Sequence, residues 1–187
     1  FDKEVLVKHR IPKKYRIEEL DKKLRRTRTI KEAKMLISIK KYNVPVPQVY
    51  EVDLTNNRLI MKYIKGQKLK DLMGKIDKSK RKRYFEQIGK YIAFMHKNNL
   101  IHGDLTTSNI IITKNEKIFF VDFGLSTKSI KIEDKSVDLH LIKRVLLSTH
   151  GQHFKECFES LINGYKLEYG ITSDEIINRI ETIESRG

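Results

Sequence analysis

The stretch Ile101-His102-Gly103-Asp104-Leu105-Thr106-Thr107-Ser108-Asn109, followed by Val121-Asp122-Phe123-Gly124, decides how the rest of the chain is read. Asp104 and Asn109 stand five positions apart, and Asn109 and Asp122 thirteen apart. Those are the intervals at which phosphoryl-transfer sites set a nucleophile-orienting Asp and two magnesium ligands. The residue types fit the task. Asp104 can orient a hydroxyl or a water, and Asn109 and Asp122 offer hard oxygen donors for magnesium held against ATP phosphates. Two apolar β-type runs, Ile110-Ile111-Ile112 and Ile118-Phe119-Phe120-Val121, lie between the two halves. A lone Asp-Phe-Gly is common; the combined pattern is not.

Working outward, the front of the chain is strand-rich with one long helix, and the back is helical. Glu4 to His9 reads as a strand that Pro12 ends. Glu19 to about Lys41 reads as a helix whose stripe is Ile30, Ala33, Leu36 and Ile37. Val44-Pro45-Val46-Pro47 is a stiff connector. Gln48–Asp53 and Arg58–Tyr63 form two strands around the turn Thr55-Asn56-Asn57, and Gly66 marks a hinge. Helices follow over Ser79–Asn98, Val137–Leu147, Phe154–Tyr169 and Ser173–Arg186, the last with Ser173 as N-cap. The expected fold is therefore α+β: a minimal two-lobe, protein-kinase-like arrangement. Residues 1–64 form a β-rich nucleotide-binding N-lobe, and residues 65–187 a small helical C-lobe.

On that plan Lys8, in the strand before the first long helix, reaches the α- and β-phosphates of a nucleotide. A Lys so placed needs a counter-charge, and Glu32 on the following helix supplies it in preference to Glu18 or Glu19. Backbone groups of Lys62 and Ile64 are expected at the adenine edge, with Met61 at the back of the pocket. His150, His153 and Cys157 could be drawn as a metal site, but without a fourth ligand a packing role is the better reading.

The formal charge is +15 and the pI about 9.8. Such a balance favours an acidic partner, nucleic acid before membrane. No apolar stretch approaches the ~20 residues of a membrane span, and no signal peptide is visible. The single cysteine, Cys157, fits a reducing compartment and a cytoplasmic location. Lys13, Lys14, Arg16, Lys22, Lys23, Arg25, Arg26 and Arg28 crowd together as a basic surface for RNA phosphates.

Four stretches carry a closer resemblance: Val7-Lys8-His9-Arg10-Ile11-Pro12-Lys13-Lys14-Tyr15-Arg16, the basic helix through Arg28 to Glu32-Ala33, the loop His102 to Asn109, and the ending Glu184-Ser185-Arg186-Gly187. Through them the chain resembles the small atypical kinase/ATPase subunit of the KEOPS complex (Bud-type, p53-related protein kinase family). The resemblance implies a magnesium-dependent ATPase or atypical Ser/Thr kinase that supports threonylcarbamoyladenosine modification of tRNA. It implies as partners a sugar-kinase-like threonylcarbamoyl transferase subunit, other KEOPS subunits and tRNA. It also implies a basic tail after Gly187 that docks on the transferase. Family members carry a Gly/Ala-rich phosphate turn upstream of the Lys8 strand, and none of the nine glycines here can serve as one.

Departures from an ordinary protein kinase fit this family. Gly103 replaces the Arg that receives an activation-loop phosphate, and Thr106 a Lys that contacts the transferred phosphate. Only sixteen positions separate Asp122 from Asp138, the expected brace of the catalytic loop, and no Ala-Pro-Glu intervenes. A peptide platform is nearly absent, though autophosphorylation on Ser126 or Thr127 is compatible with the sequence. Two rival readings are a RIO-type autophosphorylating kinase of ribosome assembly and a non-catalytic tRNA-binding scaffold. Leu105-Thr106-Thr107-Ser108 argues against the first, and the joint presence of Lys8, Asp104, Asn109 and Asp122 against the second.

Overall fold

The computed structural model describes residues 4–185. The front half is a three-stranded antiparallel sheet backed by one helix. β1 (Val5–His9) is an edge strand beside β3 (Arg58–Lys62), with β2 (Val49–Asp53) on the other side. Leu59 and Met61 on β3 alternate toward the core face and are buried. The helix α1 (Glu18–Lys40) precedes β2 in sequence and presses Ala33, Met35, Leu36 and Ile39 into the core. Its first turn holds Glu18, Glu19 and Asp21 and its last turn Lys40, both favourable to the helix dipole. The expected stripe is corrected at one position. Ile37 is half exposed, and Ile39 takes the inward place, because the buried face runs through Thr29, Glu32, Leu36 and Ile39 at helical spacing.

The back half begins with β4 (Gly66–Lys68), which pairs with β6 rather than with the front sheet. Gly66 is thus a strand residue and not a hinge. A Cβ there would stand 2.5 Å from the Ile112 carbonyl, so close backbone approach demands the glycine. Then follow α2 (Leu69–Leu72), α3 (Lys78–Lys97), β5 (Leu100–Ile101), β6 (Ile110–Thr113), β7 (Ile118–Phe120) and β8 (Thr127–Lys128). β6 and β7 form a hairpin, and β8 returns to pair with β5. The chain ends in α4 (Ile132–Thr149), α5 (Phe154–Tyr169) and α6 (Ser173–Glu184).

α4 starts five residues before the expected Val137, extending an acidic first turn at Glu133 and Asp134. Ser173 is the first helical residue and not the N-cap; Thr172 takes that place, without a side-chain capping bond. The expected extension of this helix to Arg186, and the Arg186-Gly187 ending, lie outside the described residues. α3 and α5 touch backbone to backbone. A Cβ on Gly89 would collide with the Leu161 carbonyl, and one on Gly164 with the carbonyl of Glu86. The front connector is tied to the back half by the Phe120 N–H, which donates to the Pro45 carbonyl at 3.0 Å. Among the described residues no helix is long and apolar enough to cross a membrane.

Candidate active site

The loop from His102 to Asn109 leaves β5 and enters β6, and its shape is imposed from beneath. Asp138 of α4, wholly buried, accepts the backbone N–H groups of His102 at 2.7 Å and Gly103 at 2.8 Å. Its Oδ2 also meets His96 Nε2 at 3.3 Å, and His96 Nδ1 lies 3.0 Å from the Tyr165 hydroxyl. Burial alone would raise the Asp138 pKa. The hydrogen bond and charge of His96, helped by His102, outweigh it and hold the carboxyl below its usual range. The expected brace is therefore in place, with His96 and Tyr165 behind it. Gly103 sits at φ +78°, and the Leu125 carbonyl would lie 2.5 Å from any Cβ there. In this backbone conformation any side chain at position 103 would be strained, arginine included.

Asn109 fixes Asp104. Its side-chain N–H₂ donates to the Asp104 carbonyl and to Asp104 Oδ2, each at 2.9 Å. The Asn109 carbonyl in turn accepts the Val121 N–H at 2.9 Å, which sets Asp122 beside the loop. Asp122 has φ +62°, a conformation that costs a non-glycine residue about 1–3 kcal/mol and clusters at functional sites. The following Phe123 is buried against the His102 ring, with ring centres 4.4 Å apart.

Lys8 joins the two halves. Its Nζ donates to Asp122 Oδ1 at 2.6 Å and to Glu32 Oε1 at 2.9 Å. Burial pushes the Asp122 pKa up. The Lys8 hydrogen bond and charge, with the Gly124 N–H and His102, more than reverse this and keep the carboxyl ionised well into acid. Glu32 is 1 % exposed, and its other oxygen is taken by Arg10. A cavity of about 580 Å³ opens beside these groups, lined by Lys8, Glu32, Met61, Ile64, Asn109 and Asp122, among others. Met61 is buried in its wall. The backbone groups of Lys62 and Ile64 are expected at the adenine edge; the Lys62 N–H donates instead to the Gln48 carbonyl at 2.8 Å, which leaves the carbonyl as that residue's group for such a contact.

Several expectations need correction. Arg16 and Arg25 are not free basic residues, since both turn onto the buried carboxylate of Asp21, at 3.4 and 2.6 Å. Lys13, Lys14, Lys22, Lys23, Arg26 and Arg28 remain exposed. Ser126 is buried with its hydroxyl donating to the Phe123 carbonyl at 2.6 Å, whereas Thr127 is exposed. His150 packs under the loop, 3.2 Å from the Thr107 hydroxyl, and Cys157 is fully buried. Among the described residues no three His, Cys, Asp or Glu are grouped to hold a metal. Arg10, His96 and Tyr165 escaped sequence reasoning. Arg10 stood in plain view two residues after Lys8, the alternate-residue spacing that puts both side chains on one face of an extended chain.

Comparison with known proteins places this geometry. The solved Rio2 kinase of Chaetomium thermophilum, described as an ADP/Mg2+-phosphoaspartate complex, matches with a TM-score of 0.59 at 16% identity, over 94% of this chain and 58% of that one. The kinase PK-1 of Cydia pomonella granulovirus matches with a TM-score of 0.51 at 21% identity, over 67% of this chain and 44% of that one. At such identities the likeness is one of fold, and the fold is the two-lobe, kinase-like one.

The family model described as the RIO domain matches residues 3–139. The KEOPS complex subunit Bud32 of Pyrococcus abyssi is 44% identical over 98% of this chain and 83% of that protein. A second, the EKC/KEOPS complex subunit bud32 of Dictyostelium discoideum, is 35% identical over 97% of this chain and 74% of that protein. The chain belongs to the RIO-domain family and, within it, to the Bud32 group. It also matches a probable bifunctional tRNA threonylcarbamoyladenosine biosynthesis protein of Methanosphaera stadtmanae at 41% identity, spanning only 33% of its length. The RIO-type reading and the KEOPS reading, opposed on sequence grounds, thus share one domain family.

Proposed function

We propose that this chain is a magnesium-dependent ATPase with atypical Ser/Thr kinase character, working as the Bud32-type subunit of a KEOPS-type complex in threonylcarbamoyladenosine modification of tRNA. One observation carries the reading: Lys8 touches both Glu32 and Asp122, residues 24 and 114 positions away, at the wall of a cavity that Asn109 also lines. A scaffold gains nothing from gathering these groups, because each pairing desolvates charge without adding apolar burial.

In this reading residues 1–64 and 65–187 form the two lobes, and the cavity between them takes ATP. Lys8, oriented by Glu32, meets the α- and β-phosphates. Met61 backs the base, with the Lys62 carbonyl and the Ile64 backbone at its edge. The donor set fits magnesium. Asn109 uses its side-chain nitrogen on Asp104, so its side-chain Oδ1 is left as a hard ligand, and Asp122 is ionised. Bound magnesium would supply positive charge against the phosphate oxygens. Asp104, held by Asn109, accepts a hydrogen bond from the attacking water or hydroxyl and orients it in line. The span from Gly124 to α4 leaves little surface for a peptide, so unrelated proteins are poor acceptors and water or Thr127 is favoured. By family resemblance a sugar-kinase-like subunit performs the threonylcarbamoyl transfer, and the exposed Lys13, Lys14, Lys22, Lys23, Arg26 and Arg28 meet tRNA phosphates in a cytoplasmic complex.

The test is an ATP turnover assay with and without the partner subunit and tRNA, counting released phosphate separately from protein-bound phosphate. Asp122→Ala abolishes turnover, and Asp104→Asn lowers it while nucleotide binding persists. Equal turnover in the wild type and both variants would promote the scaffold. Protein-bound phosphate in excess of released phosphate would favour the autophosphorylating kinase.

A further inference from the structure

Glu32 poses an electrostatic problem that Lys8 cannot solve alone. It is 1 % exposed, and a carboxylate so buried must keep a counter-charge at every stage of a cycle. Lys8 is shared: the same ammonium holds Asp122, and in the proposed function it turns toward phosphates while Asp122 turns toward magnesium. A second cation lies behind it. Arg10 takes Glu32 Oε2, leaving Oε1 for Lys8.

Arg10 is itself tightly held. Its Nη1 donates to the Thr29 hydroxyl at 3.3 Å, and its backbone N–H donates to the Asn57 carbonyl at 3.2 Å. The Arg10 carbonyl accepts from Arg25, whose Nε is anchored on Asp21. Thr29 closes the circuit by donating to the Arg25 carbonyl at 2.9 Å. Asp21, Arg25, Thr29 and Glu32 lie at helical spacing on one face of α1, where apolar residues would ordinarily pack. The guanidinium also stands beside the segment bearing Asp122, 3.5 Å from where a Cβ on Gly124 would be.

We infer that Arg10 is a positioning residue of the nucleotide site, the fixed counter-charge that keeps Glu32 aimed at Lys8 while Lys8 exchanges Asp122 for phosphate. This rests on the nucleotide-site reading above. Arg10 does not touch the phosphates; it acts through Glu32. Arg10→Lys can satisfy Glu32 but cannot hold Thr29 at the same time, since a single ammonium replaces a two-pronged guanidinium.

The experiment measures Mg-ATP affinity, steady-state kinetics and melting temperature for the full chain as wild type, Arg10→Met, Arg10→Lys, Glu32→Gln and the double variant Arg10→Met/Glu32→Gln. Arg10→Met is expected to weaken Mg-ATP binding roughly tenfold, raising KM more than it lowers kcat, the scale of a lost charged hydrogen bond. Arg10→Lys falls between it and the wild type, and gives the answer if Arg10→Met does not fold. In the Glu32→Gln background the Arg10 effect shrinks to less than about threefold, because its target is gone. Unchanged affinity in Arg10→Met and Arg10→Lys with a lowered melting temperature would make Arg10 a structural brace and overturn the inference. So would effects that multiply independently in the double variant. A wild type that binds no Mg-ATP would instead overturn the nucleotide-site reading, and this inference with it.

Discussion

Glu32 and Asp138 are two carboxylates buried almost equally, at 1 % and 0 % exposure, yet they are satisfied by opposite means. Glu32 in the front half is met by the ends of two long cations from the strand β1 and the residues just after it. Asp138 in the back half is met by two backbone N–H groups and a buried histidine. A long side chain can trade one acceptor for another by rotating a few bonds; a backbone amide cannot move without moving its loop. On the proposed nucleotide-site reading, Lys8 is therefore the side chain that changes partners, while Arg10 keeps its hold on Glu32. The back half is built to hold Asp104 still.

The sharpest way to break this contrast is Asp138→Ala. It strands two buried backbone N–H groups and His96, and should cost about 3–5 kcal/mol by denaturant unfolding. Glu32→Gln, by comparison, keeps the shape and one acceptor and should cost markedly less. Equal losses would mean that the two carboxylates do the same structural work.

Acid provides the next test. His102 is fully buried, and burial depresses its pKa below the ordinary 6.5 despite the opposing charges of Asp138, Asp104 and Asp122. A depressed histidine contributes stability that is present above the unfolded value. Below pH 6.5 the unfolded chain takes up a proton that the folded loop refuses, so stability falls toward the lowered folded pKa. For one group the slope is at most about 1.4 kcal/mol per pH unit. His150, also depressed by burial, adds to the same limb. Asp138 and Asp122, whose pKa values are lowered, contribute stability that is present above the ordinary carboxylate value of 3.8 and is lost as pH falls through their folded values. Urea midpoints measured from pH 7.5 to 5 should decline, and His102→Gln should flatten the decline. A flat wild-type profile would show that the loop admits the proton.

The smallest effect on stability is expected at the surface. Charge reversal at Lys22, Lys23, Arg26 and Arg28 should move stability by no more than about 0.5 kcal/mol. It should also flatten the salt dependence of tRNA binding by roughly 0.7–0.9 log units per decade for each phosphate left without its cation. The same change at Lys114 and Lys117, on the β6–β7 hairpin, should leave the slope near that of the wild type. Arg25 belongs in neither set, because reversing it breaks the Asp21 anchor. Identical slopes in the two variants would assign the RNA contact to partner subunits.

How much of this was legible in the sequence depends on whether a residue's partner was near in sequence or implied by a motif. Asp104, Asn109 and Asp122 announced themselves by spacing, and Lys8 with Glu32 followed once the two-lobe plan was in hand. α5 was read at both its ends, Phe154 and Tyr169, from its amphipathic pattern. Arg16 and Arg25 were misread because a run of like charges looks solvated, although Asp21 stood one helical turn before Arg25 as a visible partner. His96 and Tyr165 were not legible as a pair. They sit on different helices, each fits an apolar face, and only the close passage of Gly89 against α5 brings those helices together. Arg10 was quoted only as part of a motif, since nothing in one dimension says that Glu32 has two oxygens to satisfy.

The bond between the Val121 N–H and the Asn109 carbonyl carries a last consequence. Asn109 and Val121 stand immediately beyond the Ile110–Phe120 pair of the β6–β7 ladder, so the separation of the two candidate magnesium ligands in space is a matter of register and not of residue count. The turn at 114–117 reconnects the strands and is tied to α3 through Glu116, which pairs with Lys80 and Arg83. Relatives could lengthen or shorten it by insertion or deletion and keep the same site, provided Ile110 still faces Phe120. The interval of thirteen is then the length of this hairpin, whereas the placing of the two ligands is its register.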